Sequence, residues 1–414
     1  MTRYIIIGGG PAGATAALEI RKLDHSGYII VISNEDYQFY KRSKIINLVS
    51  ESCTEDELFI KGKDIYDQNN IEFIKGYVKK VIPKRNQLLL ENGTSFHYDY
   101  LLIASGGSPI VLPWKGVNLE GIHTLYNLED AKEVVKQVCN AKRVVIVGGG
   151  SIAMKAIQNF KKIGLEVSII EKASHLWPVG FDRKVARIVE TKIKENGIQI
   201  YLNEEVVEFN GENNKLNSVT LKSGKEITAD LAVITIGMRP NINFLKDTGI
   251  KLDKGVLVDE YMNTNFSNIF AAGDVAQIYD PLYKTPILHP TWGNAKKQGK
   301  IAAKNMVDGA VKYQGAISIQ TIKIFGFTAI AVGITHSKKN FDELSYVSFE
   351  KEMSRKFVLK NSHIMGILIL GKDINKKSLK PILKKAVVDQ VILSDYWSAL
   401  WEKDINFDVL MNKV

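Results

Sequence analysis

Cysteine is nearly absent. The 414 residues hold two, Cys53 and Cys139, far apart and in no CxxC pair. That excludes a dense disulfide framework and a four-cysteine zinc or iron–sulfur site made by one chain. Histidine is scarce too, and none of the seven stands in a metal-ligand spacing such as HxxxH, so no protein-bound metal is expected. No apolar run approaches the ~18 residues that read as a membrane-spanning helix. The start, Met1-Thr2-Arg3-Tyr4, leads directly into an apolar strand, without the apolar stretch and cleavage site of a signal peptide. Together these absences make the cytoplasm the expected location.

What is present is an ordinary globular composition, 45% hydrophobic and 24% charged, in a chain long enough for two or three domains. Cores of that size need no disulfide or metal staple. The formal net charge is +10, which could attract nucleic acid, an anionic membrane or an acidic protein. No nucleic-acid recognition motif accompanies it.

The chain repeats itself in outline. Ile5-Ile6-Ile7-Gly8-Gly9-Gly10-Pro11-Ala12-Gly13 recurs as Val144-Val145-Ile146-Val147-Gly148-Gly149-Gly150-Ser151-Ile152-Ala153. Each copy is a β-branched run, then glycines, then a helical segment (Ala14–Leu23; Ser151–Gly164), then a second strand (Tyr28–Ser33; Glu166–Glu171). Strand, tight turn, helix and strand make a βαβ unit, so two nucleotide-binding folds of similar plan are expected. Trp292–Val307 has helical spacing, with Ala295, Gly299, Ala302, Ala303 and Met306 as a small-residue face. From about Ile317 the pattern changes to short β runs and then a helical tail, the mark of a third, α+β domain.

In G-x-G-x-x-G the first glycine permits the tight turn, the second lets a pyrophosphate approach the backbone, and the third lets helix and strand pack closely. The helix N-terminus then offers unpaired N–H groups to the phosphates. Gly8, Gly10 and Gly13 fit fully; Gly148 and Gly150 fit with Ala153 in third place. Glu171 follows the second strand of its unit, where a carboxylate takes ribose hydroxyls and repels a 2′-phosphate, so NADH is favoured over NADPH. In the first unit Glu35 comes slightly late; it reads either as the equivalent residue or as a solvated loop side chain.

The order of these motifs resembles the FAD- and NAD(P)H-dependent pyridine nucleotide–disulfide oxidoreductase superfamily, nearest its rubredoxin reductase and nitrite reductase flavin-module branch. Carrying the resemblance are Gly8–Gly13, Glu35–Arg42, Tyr100–Gly106, Gly148–Ala153, Gly237–Asn241, Ile269–Val275 and Trp292–Met306. It implies an α/β chain of two Rossmann-like nucleotide-binding domains plus a C-terminal α+β interface domain. The FAD domain would take residues 1–112 and 242–316, the NAD domain 113–241 and the interface domain 317–414. By the same resemblance, Gly8, Gly10, Pro11, Ala12 and Gly13 would hold the FAD pyrophosphate, Glu35 the adenosine ribose and Arg42 the phosphates. The Ala104-Ser105-Gly106 and Gly237 turns would line the cofactor sites, and Gly273-Asp274 would accept from the ribityl chain. Trp292 and Ala295 would lie against the flavin, with ordinary packing the rival reading for Trp292. Gly148, Gly150, Ser151, Ile152 and Glu171 would hold NADH.

Two departures stand out. Tyr40–Asn47, where the superfamily's disulfide reductases and peroxidases carry redox cysteines, has none, so a thiolate relay is not expected there. Cys53, about ten residues on, reads as a small buried residue or a shifted thiol. Lys155 replaces the family's usual Glu near nicotinamide and flavin, and Asn47 stands roughly where its lysine partner would be. A cation there would stabilise anionic reduced flavin and oppose the ring of NAD⁺, unless a helix shift carries it to solvent. The expected activity is NADH oxidation through FAD with a small acidic electron carrier as acceptor and Lys155 and Trp292 at the reaction centre. A basic cluster at Lys372, Lys376, Lys377, Lys380, Lys384 and Lys385 reads as a docking patch or a solvated helix face. A homodimer is left open. The alternatives are a peroxide-forming NADH oxidase and a flavin-containing subunit with an impaired nicotinamide site.

Overall fold

The computed structural model describes residues 1–336, 340–372 and 374–392. They fall into two compact units. The first comprises Met1–Ile45, Cys53–Ser108 and Met238–Ala316; the second comprises Ile46–Ser52, Pro109–Gly237 and the chain from Ile317 onward. In chain order, the first unit contributes β1 (Arg3–Ile7), α1 (Pro11–Leu23), β2 (Tyr28–Ser33), β3 (Glu72–Lys75) and β4 (Tyr100–Ile103). The second supplies β5 (Ile122–Thr124), β6 (Arg143–Val147), α2 (Ser151–Lys162), β7 (Glu166–Glu171), α3 (Arg183–Glu195), β8 (Gln199–Leu202) and β9 (Leu231–Ile234). The chain returns to the first for β10 (Ile269–Ala271) and α4 (Trp292–Val307). It ends in the second with β11 (Ile319–Ile324), β12 (Phe327–Gly333), β13 (Asp342–Ser348), β14 (Met353–Lys360), β15 (His363–Lys372) and α5 (Lys376–Val388).

The first unit is built on a parallel sheet of order β10-β4-β1-β2-β3. Its strands are near-continuous Ile, Val and Leu because both faces are covered, and Ile5, Ile6, Val31, Leu101 and Leu102 are buried. The small-residue face of α4 packs on α1, with Ala295, Gly299, Ala302, Ala303 and Met306 all buried. A Cβ on Gly299 would come within 2.1 Å of the Ala12 carbonyl oxygen, so the two helices approach to backbone contact there.

The second unit repeats the plan with a parallel sheet of order β8-β7-β6-β9-β5. Registers agree as well: Arg3 pairs Tyr28 and Ile7 pairs Ile32 in one sheet, and Arg143 pairs Glu166 and Val147 pairs Ile170 in the other. The α/β class with two Rossmann-like sheets is therefore as the sequence implies. This unit also carries an antiparallel sheet of order β11-β12-β15-β14-β13, against which α5 packs. Of its strands β13 has no forerunner in the sequence reading. It is an edge strand paired only with β14, and its Asp-Glu-Leu-Ser-Tyr-Val-Ser lacks a strong apolar alternation, as exposed edges do. The helical tail is described as far as α5; residues 393–414 lie outside the described residues.

Candidate nucleotide sites

The three glycines of the first turn have different causes. Gly8 has φ +109°, and a Cβ there would stand 2.1 Å from the Ala104 carbonyl oxygen; at Gly13 it would stand 1.9 Å from the Gly8 oxygen. Both are demanded by the fold itself. Gly10 differs: as the N-cap of α1, with φ −70°, it would place a Cβ in open space with nothing within 4 Å. Helix α1 starts at Pro11 with no side-chain cap and no acidic residue in its first turn. Its leading N–H groups are thus left uncapped beside open space at Gly10, which suits a pyrophosphate.

Ala104 and Gly273 come up against this turn. Gly273, at φ +86°, would bring a Cβ within 2.9 Å of Ala12 and 3.7 Å of Ala295. Asp274, half-buried, accepts no hydrogen bond among the described residues. Burial pushes its carboxyl up to about 6, with the Arg42 cation opposing. Such an unfilled acceptor suits a ligand hydroxyl. Glu35 does not dangle: one carboxylate oxygen pairs with Arg42 and the other accepts from Tyr40 Oη at 2.5 Å. The Ala104-Ser105-Gly106 turn is fastened by Asn241, whose Nδ2 donates to the Ser105 carbonyl at 3.0 Å while Ser105 Oγ donates to the Asn241 carbonyl at 2.9 Å. Trp292 opens α4, and its ring stacks on buried Phe39 with centroids 5.7 Å apart and planes 10° from parallel. One face of the indole is therefore taken by packing.

In the second unit Gly148 has φ +102° and leaves only 2.8 Å between a notional Cβ and the Thr235 carbonyl oxygen, whereas Gly150, the N-cap of α2, again faces open space. Ala153 is fully buried, filling the third position. Glu171 holds the turn itself: Oε2 accepts from Gly149 N at 2.6 Å and Oε1 from Ala173 N at 2.7 Å. Ser151 begins α2 and Ile152, 43% exposed, stands at its open end. Helices α1 and α2 both begin directly after the middle glycine, and Lys155 is the fifth residue of α2. It is half-buried, and its carbonyl accepts from Asn159 Nδ2 at 2.9 Å. Asn159 in turn bonds Ser50. Gly237, at φ +122°, accepts through its carbonyl from Ile110 N at 2.9 Å.

The structure brings forward residues that sequence reasoning passed over. Gln298, 1% exposed, accepts from Gly273 N at 2.7 Å and so fixes the Gly273-Asp274 turn. Its place two turns into α4 was visible; its target, 25 residues earlier, was not. Cys53 is free and half-buried, and burial pushes its thiol up, with Glu57 adding and Lys44 and Lys41 opposing. That holds it protonated and a poor nucleophile. Among the described residues no cluster of His, Cys, Asp and Glu could hold a metal ion, and no helix is long and apolar enough to cross a membrane.

Residues 2–299 match the family model described as pyridine nucleotide-disulphide oxidoreductase. The chain belongs to that family. It is 29% identical over 388 residues to the NADH-rubredoxin oxidoreductase of Clostridium acetobutylicum, covering 93% of this chain and 94% of that protein. It is 24% identical to the assimilatory nitrate reductase electron transfer subunit of Bacillus subtilis, and spans 92% of this chain but about half, 49%, of that relative. The covalent putidaredoxin reductase–putidaredoxin complex superposes with a TM-score of 0.90 over 99% of this chain and 98% of that one, at 22% identity, a likeness of fold. The family assignment makes the chain an oxidoreductase, as its motif order implied.

Proposed function

We propose that the chain is an FAD-dependent NADH oxidoreductase that passes electrons to a small carrier protein of the rubredoxin or iron–sulfur kind. The observation that carries this reading is the pair of bare-backbone cradles at Gly10 and Gly150, each at an uncapped helix start and each left unfilled by the fold. Bound FAD supplies the redox chemistry. The Gly8–Gly13 turn would take its pyrophosphate, Arg42 its phosphates, and Asp274 a ribityl hydroxyl, with Gln298 keeping Asp274 in place. Glu35 serves as the ribose acceptor only by sharing its carboxylate with Tyr40 and Arg42. The Gly148–Ile152 turn would take NADH, and Glu171 would repel a 2′-phosphate while bracing Gly149. Lys155 would set a positive potential by the reaction centre, and Trp292, anchored on Phe39, would cover the flavin. Without a thiolate in Tyr40–Asn47, electrons leave for an external acceptor.

An acidic carrier fits the +10 surplus, because opposite charge speeds encounter at low salt. Lys377, Lys380, Lys384 and Lys385 are exposed on α5, as is Lys372, which pairs with Glu352; the side chain of Lys376 lies outside the described residues. The three-part division into FAD, NAD and interface domains, a cytoplasmic location and a homodimer complete the reading.

Anaerobic mixing of the yellow protein with NADH, and separately NADPH, tests it. NADH should bleach the flavin within a turnover, and rubredoxin or a ferredoxin should restore the colour. No bleaching by either nucleotide discards the reading, whereas reoxidation by oxygen faster than by any carrier replaces it with the peroxide-forming oxidase. Flavin that stays yellow until Lys155→Glu is made would point instead to an impaired nicotinamide site.

A further inference from the structure

Residues 172–181, between Glu171 and α3, fold back onto the second glycine turn. Trp177 N donates to the Gly149 carbonyl at 2.8 Å, and Leu176 packs against Gly149. Trp177 holds φ +49°, a conformation a bulky residue adopts only when its surroundings impose it. The loop is thus seated on Gly149, between Gly148 and Gly150, with a constrained backbone at Trp177.

The antiparallel sheet of the same unit holds this loop at several points. Trp177 Nε1 donates to Gln320 Oε1 on β11 at 3.2 Å, and Thr335 Oγ1, just past β12, donates to the Val179 carbonyl at 3.3 Å. The strongest tie is Lys356 on β14. It is 1% exposed, and its ammonium lies 3.2 Å from Asp182 Oδ2 and 2.8 Å from Glu343 Oε1. Asp182 closes the loop and caps α3, its Oδ1 accepting from Val185 N at 3.0 Å. A buried ammonium shared by two carboxylates holds its partners in place, because losing it would leave two anions facing each other.

We propose that the antiparallel sheet sets dinucleotide affinity by clamping residues 172–181 against Gly149, with Lys356 as the main positioning residue. This rests on the reading that the Gly148–Gly150 turn takes the dinucleotide. Lys356 touches no cofactor position; it acts through Asp182 and the loop.

The test uses the FAD-loaded full chain. Wild type, Lys356→Met, Lys356→Arg and the milder Gln320→Leu/Thr335→Val double variant are compared. The readouts are NAD⁺ binding by titration and the limiting rate of flavin bleaching by saturating NADH. Lys356→Met should weaken NAD⁺ binding about 3- to 30-fold, the range a remote residue produces through a coupled network, and leave the limiting rate within about twofold. Lys356→Arg should recover most of the affinity, and the double variant should lose part of it. Should Lys356→Met fail to fold, the double variant decides. Unchanged NAD⁺ affinity in the folded variants overturns the clamp, as does an equal fall in binding and limiting rate. Wild type that takes no dinucleotide instead sinks the underlying assignment of the turn.

Discussion

Substituting alanine at Gly10 and at Gly8 should separate a glycine kept for a ligand from one kept for the fold. At Gly10 the backbone is φ −70°, ψ −173° and an added Cβ meets nothing within 4 Å. The unfolded chain loses conformational freedom, worth about 0.4–1 kcal/mol of stability, and the weaker N-cap costs a similar amount. The apoprotein should therefore melt within a few degrees of wild type. At Gly8 the added Cβ lies 2.1 Å from the Ala104 carbonyl oxygen at φ +109°. The left-handed backbone alone costs about 1–2 kcal/mol, and the overlap requires β1 and β4 to part. For FAD, the methyl of Gly10→Ala occupies the space where the pyrophosphate would meet the helix N–H groups. Weakening one charge-assisted hydrogen bond of about 1.5–3 kcal/mol amounts to roughly 10- to 150-fold in Kd. Thermal melts of the apoproteins by circular dichroism, with FAD titrated by fluorescence quenching, read both quantities. A Gly10→Ala protein that binds FAD like wild type, or whose apoprotein melts as low as Gly8→Ala, refutes the reasoning.

Asp274 makes the apoprotein's stability depend on pH. With the native carboxyl pushed up to about 6 from 3.8, the unfolded chain releases that proton first. Stability from this group is thus full below about pH 4 and falls as pH rises through 6, by up to about 3 kcal/mol. Asp274→Asn should abolish that fall in apoprotein melts taken between pH 4 and 7; an identical slope in the variant would remove Asp274 as its source. Cys53→Ser should leave NADH-dependent reduction of a carrier within about twofold, since a thiol held protonated makes a weak nucleophile. Steady-state assay with a rubredoxin checks it, and a loss of tenfold or more would reinstate a thiol relay.

Much of the fold was legible because its signals are local. The β-branched runs before both glycine turns, the carboxylate closing β7 and the small-residue face of Trp292–Val307 each declare themselves within about twenty residues. Within one turn the motif assigns Gly8 to the bend and Gly10 to pyrophosphate approach, but it does not show what enforces the difference. Only the Ala104 carbonyl, brought up at the end of β4, separates steric need at Gly8 from open space at Gly10. Glu35 shows the same limit. Its lateness in the motif read as either ribose acceptor or loop residue, and neither anticipates a carboxylate divided between Arg42 and Tyr40.

Lys356 marks where local reading fails altogether. In Arg355-Lys356-Phe357-Val358-Leu359 a lysine looks like the solvent side of a strand, yet it is 1% exposed. Its partner Asp182 lies 174 residues earlier and has a sufficient local reason to exist, as the cap of α3. Each residue is explained separately by its own element, so nothing in the sequence asks for the other. Only packing of the β11–β15 sheet against the loop after Glu171 joins them, and burial then turns an ordinary capping carboxylate into one end of a clamp. A long-range ion pair of this kind carries little recognisable pattern because its energy depends on desolvation, which the chain acquires only once it has folded.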